Sequence, residues 1–144
     1  MFSKACEYGI RATLHIAVQS GKGNRVSLKD IAKAIDSPEA FTAKILQQLS
    51  RDGIIHSMKG PAGGFELEAA HAERIKLSHI VTCIDGDQIY KGCGLGLKTC
   101  NEFKPCPVHY QFKLIREELR TMLESTSIKT LSESVHDGLS FLKR

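Results

Sequence analysis

Two short helix signals, a three-residue break and a glycine-tipped hairpin follow one another between Ser27 and Leu67, and few folds accept that order. Ser27-Leu28-Lys29-Asp30 has capping-box spacing. The Ser27 hydroxyl can satisfy an orphan backbone N–H, and Asp30 favours the positive helix end. Leu28, Ile31, Ala32 and Ile35 then fall on one face. Asp36-Ser37-Pro38 breaks this helix and starts the next, with Ser37 as N-cap and Pro38 as first helical residue. The next helix runs to about Asp52, where Gly53 supplies a left-handed stop. Its inner face reads Phe41, Ile45, Leu46 and Leu49. Its outer face carries Glu39, Ala40, Thr42, Ala43, Lys44, Gln47, Gln48 and Arg51. A short helix, a tight turn and a helix with a polar outer face outline a helix-turn-helix. Ile54 to Lys59 reads as a strand, Gly60-Pro61-Ala62-Gly63-Gly64 as a turn, and Phe65-Glu66-Leu67 as the returning strand. The hairpin makes the unit a winged helix.

The flanks are helical. In residues 4–19, Ala5, Tyr8, Ala12, Ile16 and Ala17 recur at spacings of three and four, with Leu14 and Val18 widening the stripe. Leu77, Ile80, Val81 and Ile84 mark another helix, stopped at Gly86. From Val108 the apolar positions are Val108, Phe112, Ile115, Leu119 and Met122, a heptad seam that can pack on its own domain, on a second copy, or on both. Thr130-Leu131-Ser132-Glu133 reads as a capping box opening a last helix through Val135 and Leu139. The expected fold is mostly α with a small β-hairpin wing. It divides into a winged helix-turn-helix DNA-binding domain (1–68), connecting helices (69–90), a cysteine loop (91–107), a seam helix (108–127) and a C-terminal helix (128–144).

Charge separates the halves. Residues 1–65 hold nine Lys/Arg against five Asp/Glu, whereas residues 66–144 hold eleven of each. The excess positive charge therefore sits on the winged-helix half and points to a polyanion. An α-helix fits the major groove and reads base edges from its N-terminal residues, here Glu39, Ala40, Thr42, Ala43 and Lys44. Gln47, Gln48 and Arg51 lie nearer the phosphate backbone, and Lys59 on the wing faces the minor groove. No apolar run approaches the roughly 18 residues of a membrane span. Met1 to Glu7 carries an acid where a signal peptide would be apolar, so the expected location is cytoplasmic, with no membrane partner.

The five cysteines are unevenly placed. Cys6 and Cys83 stand apart and read as core thiols, while Cys93, Cys100 and Cys106 crowd one Gly/Lys-rich segment. Soft thiolates at such spacing hold an iron–sulfur cluster, with zinc as the alternative although CxxC pairs are missing. Gly92, Gly94 and Gly96 let the loop wrap tightly, and Lys91, Lys98 and Lys104 can offset thiolate charge. His109, three residues after Cys106, is a candidate fourth ligand. Glu7 on the first helix competes with it, from this chain or a partner subunit.

These residues resemble the IscR/NsrR-type (Rrf-two) transcriptional regulators over nearly the full chain. Glu7-Tyr8-Gly9-Ile10-Arg11-Ala12, Ile31-Ala32, Leu46-Gln47-Gln48-Leu49, Gly53-Ile54-Ile55 and Lys59-Gly60-Pro61-Ala62-Gly63-Gly64-Phe65 carry the likeness together with the three cysteines. The resemblance implies that the seam helix (108–127) is a long dimerisation helix, and it implies a cluster at Cys93, Cys100 and Cys106. His109 looks like the IscR ligand and Glu7 like the NsrR ligand, so two-iron and four-iron clusters both stay open. The first two cysteines stand one residue further apart than in the IscR-like pattern. Lys59 replaces a usual Arg, and Ala43 an acid.

The function expected is a homodimeric regulator that binds a palindromic site in double-stranded DNA. It would sense iron–sulfur status, redox state or nitric oxide through its cluster. The alternative is a DNA-binding regulator without a cluster, using the cysteines for zinc, thiol oxidation or a protein partner. No P-loop or nucleophile triad supports an enzyme.

Overall fold

A computed structural model describes residues 1–144. In chain order the elements are α1 (Lys4–Gly21), α2 (Leu28–Ala34), α3 (Glu39–Arg51), β1 (His56–Met58), β2 (Gly64–Glu66), α4 (Ala69–Arg74), α5 (Leu77–Asp85), α6 (Gln88–Lys91), α7 (His109–Ser125) and α8 (Ile128–His136). The chain is a mostly helical winged helix with one antiparallel hairpin.

α1 starts where the Ser3 hydroxyl accepts from the Cys6 N–H, a cap worth about 1 kcal/mol. The Ser3 backbone N–H also donates to Asp85 at the end of α5, 3.0 Å away, which pins the two helices together. α1 packs against α3, α5 and α8. The approach to α5 is close at Gly9, where a Cβ would stand 2.3 Å from the Ile84 Cδ1. Ile16, Ile31, Ile35, Leu46, Leu49, Leu67, Ile80, Leu123 and Ile128 fill one continuous core. Each contributes about 1.5–3 kcal/mol by leaving water.

The helix-turn-helix forms with three local corrections. α2 is capped by Ser27, which accepts from the Asp30 N–H, as expected. α3 begins one residue late, with Pro38 in the N-cap position and no side-chain cap. Ser37 does not cap it. Its hydroxyl hydrogen-bonds that of Thr42, which also donates to the Pro38 carbonyl at 2.7 Å. This satisfied hydroxyl lets Thr42 turn inward, and it is 0 % exposed rather than on the outer face. Gln48 is also drawn in, its amide donating to the Cys83 carbonyl of α5 at 2.7 Å. Phe41, expected inside, is 37 % exposed and meets the Tyr8 ring edge-on at 5.7 Å.

The wing strands are shorter than the sequence suggests. They pair His56 with Glu66, Ser57 with Phe65 and Met58 with Gly64. Ile54 and Ile55 are buried before β1 begins, so core packing rather than pairing places them. Val26 adds a bridge to Phe65 on the other side, through backbone bonds of 3.1 and 2.8 Å. Arg25 braces the wing by donating to Glu66 at 2.9 Å and to the Ala62 carbonyl at 3.2 Å.

The C-terminal half departs further. α8 is capped by Ser127, which accepts from the Thr130 N–H, so Thr130 lies inside the helix. The segment before α8 bridges to Lys76, and the strong apolar side chain there, Ile128, is buried. That contact starts the helix a turn early. Gly138 at φ 72° ends it, leaving Leu139 outside and exposed. On α7 the side toward the core and the cysteine loop carries His109, Phe112, Arg116, Leu119 and Leu123, with Phe112 still 37 % exposed against the loop. Only Phe112 and Leu119 of the expected seam lie on that side. Ile115 (55 %) and Met122 (44 %) remain exposed, with Leu114 (69 %) beside them.

Gly64 combines φ 135° with a Cβ position only 2.8 Å from the Val26 carbonyl oxygen. Gly64→Ala is therefore expected to cost about 1–3 kcal/mol and lower the thermal midpoint by several degrees. Gly21→Ala, at a helix end with open space around it, should leave the midpoint equal or slightly higher. Calorimetry of the two variants checks the pair.

Candidate functional site

Two regions carry chemistry. The first is the outer face of α3 with the wing. Glu39, Ala40, Lys44, Gln47 and Arg51 are exposed along one side of α3, Ala43 is half-buried, and Lys59 is exposed at the hairpin tip. Thr42 and Gln48 are missing from this surface because their polar groups are consumed inside the fold. The structure adds residues that sequence reasoning left out. The Arg11 guanidinium lies 5.0 Å from the centre of the Tyr8 ring and the Lys4 ammonium 5.8 Å from it. Phe41 joins this cluster to α3 through its edge-on contact with Tyr8. Lys4, Tyr8 and Arg11 share one face of α1 at i, i+4, i+7 spacing, and only the contact with Phe41 depends on the crossing of two helices.

The second region is the cysteine loop, residues 91–107. α7 turns His109, Phe112, Lys113 and Arg116 toward it, at the i, i+3, i+4, i+7 spacing of one helix face. The His109 Nδ1 lies 3.4 Å from the Cys100 Sγ. A Cβ on Gly94 would stand 2.6 Å from the Phe112 ring, so the glycine is what lets the loop lie down there. Lys113 pairs with Glu102. Arg116 donates to the Gly92 carbonyl and, at 3.3 Å, to the Cys100 Sγ. Of the lysines expected to offset sulfur charge, Lys91 is instead paired with Asp87. The cation that meets a thiol is Arg116, which no spacing in the loop announces.

The donors fall into two pairs. Leu95 N–H donates to Cys93 Sγ at 3.4 Å. The backbone N–H groups of Leu95 and Leu97, with the Cys106 thiol beside them, hold the Cys93 thiol below its usual range. Cys100 and His109 form the other pair. His109 is 5 % exposed, and its Nε2 is buried without a hydrogen-bond partner. No three His, Cys, Asp or Glu side chains gather into a group that could hold a metal ion, so Cys93, Cys100, Cys106 and His109 are not brought together as the ligand set expected from the sequence. Glu7 sits apart from the loop, in an ion pair of 3.0 Å with Lys4. It borders a surface hollow with Phe2, Ile10, Arg11 and Arg144. Of the two fourth-ligand candidates, His109 alone shares the thiols' region within one chain.

Cys6 and Cys83 behave as core thiols. Burial first, then the Asp85 carboxylate, pushes Cys6 up to about 12. Burial first, then the hydrogen bond with Asp52, pushes Cys83 up to about 12.

Comparison with known proteins gives the context. The Rrf2 family profile, described as an iron-dependent transcriptional regulator, matches residues 2–134. A protein of Aquifex aeolicus named as an HTH-type transcriptional regulator is 31 % identical over 133 residues, covering 91 % of this chain and 90 % of the relative. The HTH-type transcriptional regulator IscR of Xenorhabdus nematophila is 26 % identical over 124 residues, covering 86 % of this chain and 74 % of its own. The fold is similar to that of CymR, the global cysteine regulator of B. subtilis. The TM-score is 0.73 at 21 % identity, over 92 % of this chain and 96 % of that one. No helix is long and apolar enough to cross a membrane.

The thiolate is the reactive form, so the folded protein at neutral pH should shield Cys6 and Cys83 from iodoacetamide while the loop thiols react. Both thiols hold their protons to higher pH when folded, so their contribution is complete below about 9 and is lost as pH rises toward about 12. Peptide mapping of native and urea-unfolded protein checks the shielding, and urea midpoints above pH 9 check the trend.

Proposed function

The chain belongs to the Rrf2 family of transcriptional regulators, and on that premise we propose that it is a homodimeric regulator whose DNA affinity answers to an iron–sulfur cluster in its cysteine loop. Binding DNA and regulating transcription come with the family; it is not an enzyme. The cluster, the dimer and the palindromic operator are the finer reading.

One observation supports the cluster above others. His109 is a buried imidazole with one nitrogen against the Cys100 sulfur and the other without a partner. A buried polar atom left unsatisfied costs about 1–3 kcal/mol, and a ligand role would give the ring a use for that cost. The donor set is three thiols and an imidazole, soft enough for iron–sulfur chemistry. The three thiols and the imidazole do not gather into one metal-holding group, so this reading requires the loop to close around the cluster when it binds. Cys93, Cys100, Cys106 and His109 would hold the group. When bound, it would supply a centre sensitive to oxidation and to nitric oxide.

The protein's own part is to carry a change at sulfur into the helix that leads away from it. The loop rests on His109, Phe112, Lys113 and Arg116 of α7. The opposite side of α7 exposes Leu114, Ile115 and Met122, and a second copy would cover them. Two copies related by a two-fold axis would present two α3 helices to the two halves of a palindrome. In this scheme residues 1–68 read DNA, 91–107 sense and 108–127 dimerise. Contacts come from Glu39, Ala40, Ala43, Lys44, Gln47 and Arg51, with Lys59 on the wing.

A second reading keeps the DNA-binding regulator and drops the cluster. The depressed Cys93 thiol beside Cys106 favours it, because such a pair suits direct thiol oxidation. Protein purified without oxygen separates the two. The cluster reading expects a coloured protein containing iron and acid-labile sulfide, lost in Cys100→Ser and kept in Cys83→Ser. Colourless, iron-free wild type would hand the loop to thiol chemistry, and stoichiometric zinc would hand it to a structural metal.

DNA contacts are tested separately. Arg51→Ala should weaken binding and reduce the slope of log affinity against log salt by about one, as one phosphate contact is lost. Thr42→Val should leave that slope unchanged and cost about 1 kcal/mol of stability through its buried hydroxyl. Fluorescence anisotropy titrations over a salt series read the first, and urea unfolding the second.

A further inference from the structure

Arg116 occupies an unusual position. It is half-buried on α7, four residues after Phe112, so both project from the same side of the helix. One guanidinium nitrogen donates to the Gly92 carbonyl, immediately before the first loop cysteine, and the other donates to the sulfur of the second, Cys100. The fork thus closes the interval 92–100 onto α7 at both ends. Gly94, between them, lies against Phe112. The ends are also held by His109, 3.4 Å from the Cys100 sulfur, and by the Gly92 N–H donating to the Gln88 carbonyl at 2.7 Å, but Arg116 alone reaches both ends at once. The Lys113–Glu102 pair acts beyond Cys100 and is exposed, so it contributes little. Ile115, the neighbour of Arg116, belongs to the exposed stripe on the far side of α7.

We propose that Arg116 is a positioning residue that clamps residues 92–100 to α7 and sets the charge felt by the Cys100 sulfur. The clamp has two separable effects. As a planar fork, Arg116 holds two acceptors at once, a task a lysine ammonium with one compact charge cannot copy. As a cation against sulfur, it favours the more negatively charged state of whatever the thiolates hold. It also gives the loop a rigid connection to the residues beside Ile115, so a rearrangement at Cys100 is transmitted to α7 rather than absorbed by the loop. The charge effect rests on the cluster reading, whereas the clamp stands without it.

The experiment compares wild type, Arg116→Ala, Arg116→Lys and Lys113→Ala. In metal-free protein, amide hydrogen exchange across 92–100 should accelerate by about tenfold or more in both Arg116 variants and stay near wild type in Lys113→Ala. Exchange at wild-type rate in Arg116→Lys and Arg116→Ala would overturn the clamp. Exchange in the α1 and α5 core serves as the folding control, and Arg116→Lys keeps the test usable if the alanine variant unfolds. In cluster-loaded protein, the reduction potential should fall in Arg116→Ala and stay close to wild type in Arg116→Lys. An unchanged potential in Arg116→Ala would overturn the charge effect. Wild type that takes up no iron would defeat the cluster reading instead, and the exchange arm would still decide the clamp.

Discussion

The close packing of α1 against three other helices is the constraint on which the architecture rests. At Gly9 a Cβ would stand 2.3 Å from the Ile84 Cδ1 of α5, so a larger residue there would require that side-chain tip to move. The same helix packs against α3 and α8. Its N-terminus is tied to the end of α5 through Ser3 and Asp85. The helix that supports α3 from behind is thus also fixed to the helix leading toward the cysteine loop. In a close-packed interior a displacement cannot be absorbed locally, so the two halves of the chain share one rigid element.

α7 performs the complementary task by dividing its surface. One stripe faces the loop and the core, through His109, Phe112, Arg116, Leu119 and Leu123. The other leaves Leu114, Ile115 and Met122 uncovered. A helix with two apolar or functional faces costs solubility unless the second face is used, which is the physical case for a second copy. Placing the side chains that meet the cysteine loop on the first stripe puts that loop within one helix diameter, about 10–12 Å, of the exposed stripe.

The environments of the five thiols follow from the same packing. Cys6 and Cys83 lie among α1, α3 and α5, with aspartates nearby, so burial and negative charge keep them protonated. Cys93 is bonded by backbone N–H groups of a tight glycine-containing turn, which favours its thiolate. Burial thus keeps Cys6 and Cys83 unreactive, while the backbone of the loop turn activates Cys93.

Local signals in the sequence determined the helix-turn-helix, the wing, the stop at Gly86 and the crowding of three thiols. Capping side chains, glycine stops and short-range spacing act within a few residues, and no distant partner was needed to read Ser27, Gly53 or the Gly60–Gly64 turn. Tertiary structure decided which face of a helix is inside. Thr42 went in because Ser37 and Pro38 offered its hydroxyl partners, and Gln48 because Cys83 offered a carbonyl. α8 began at Ser127 because Ile128 had a core to enter. The α7 stripe rotated because the inward positions answer to the cysteine loop as well as to apolar burial, and Arg116 satisfies that demand with hydrogen bonds. Hydrophobic spacing cannot register a polar side chain whose partners are a carbonyl and a sulfur more than a dozen residues away.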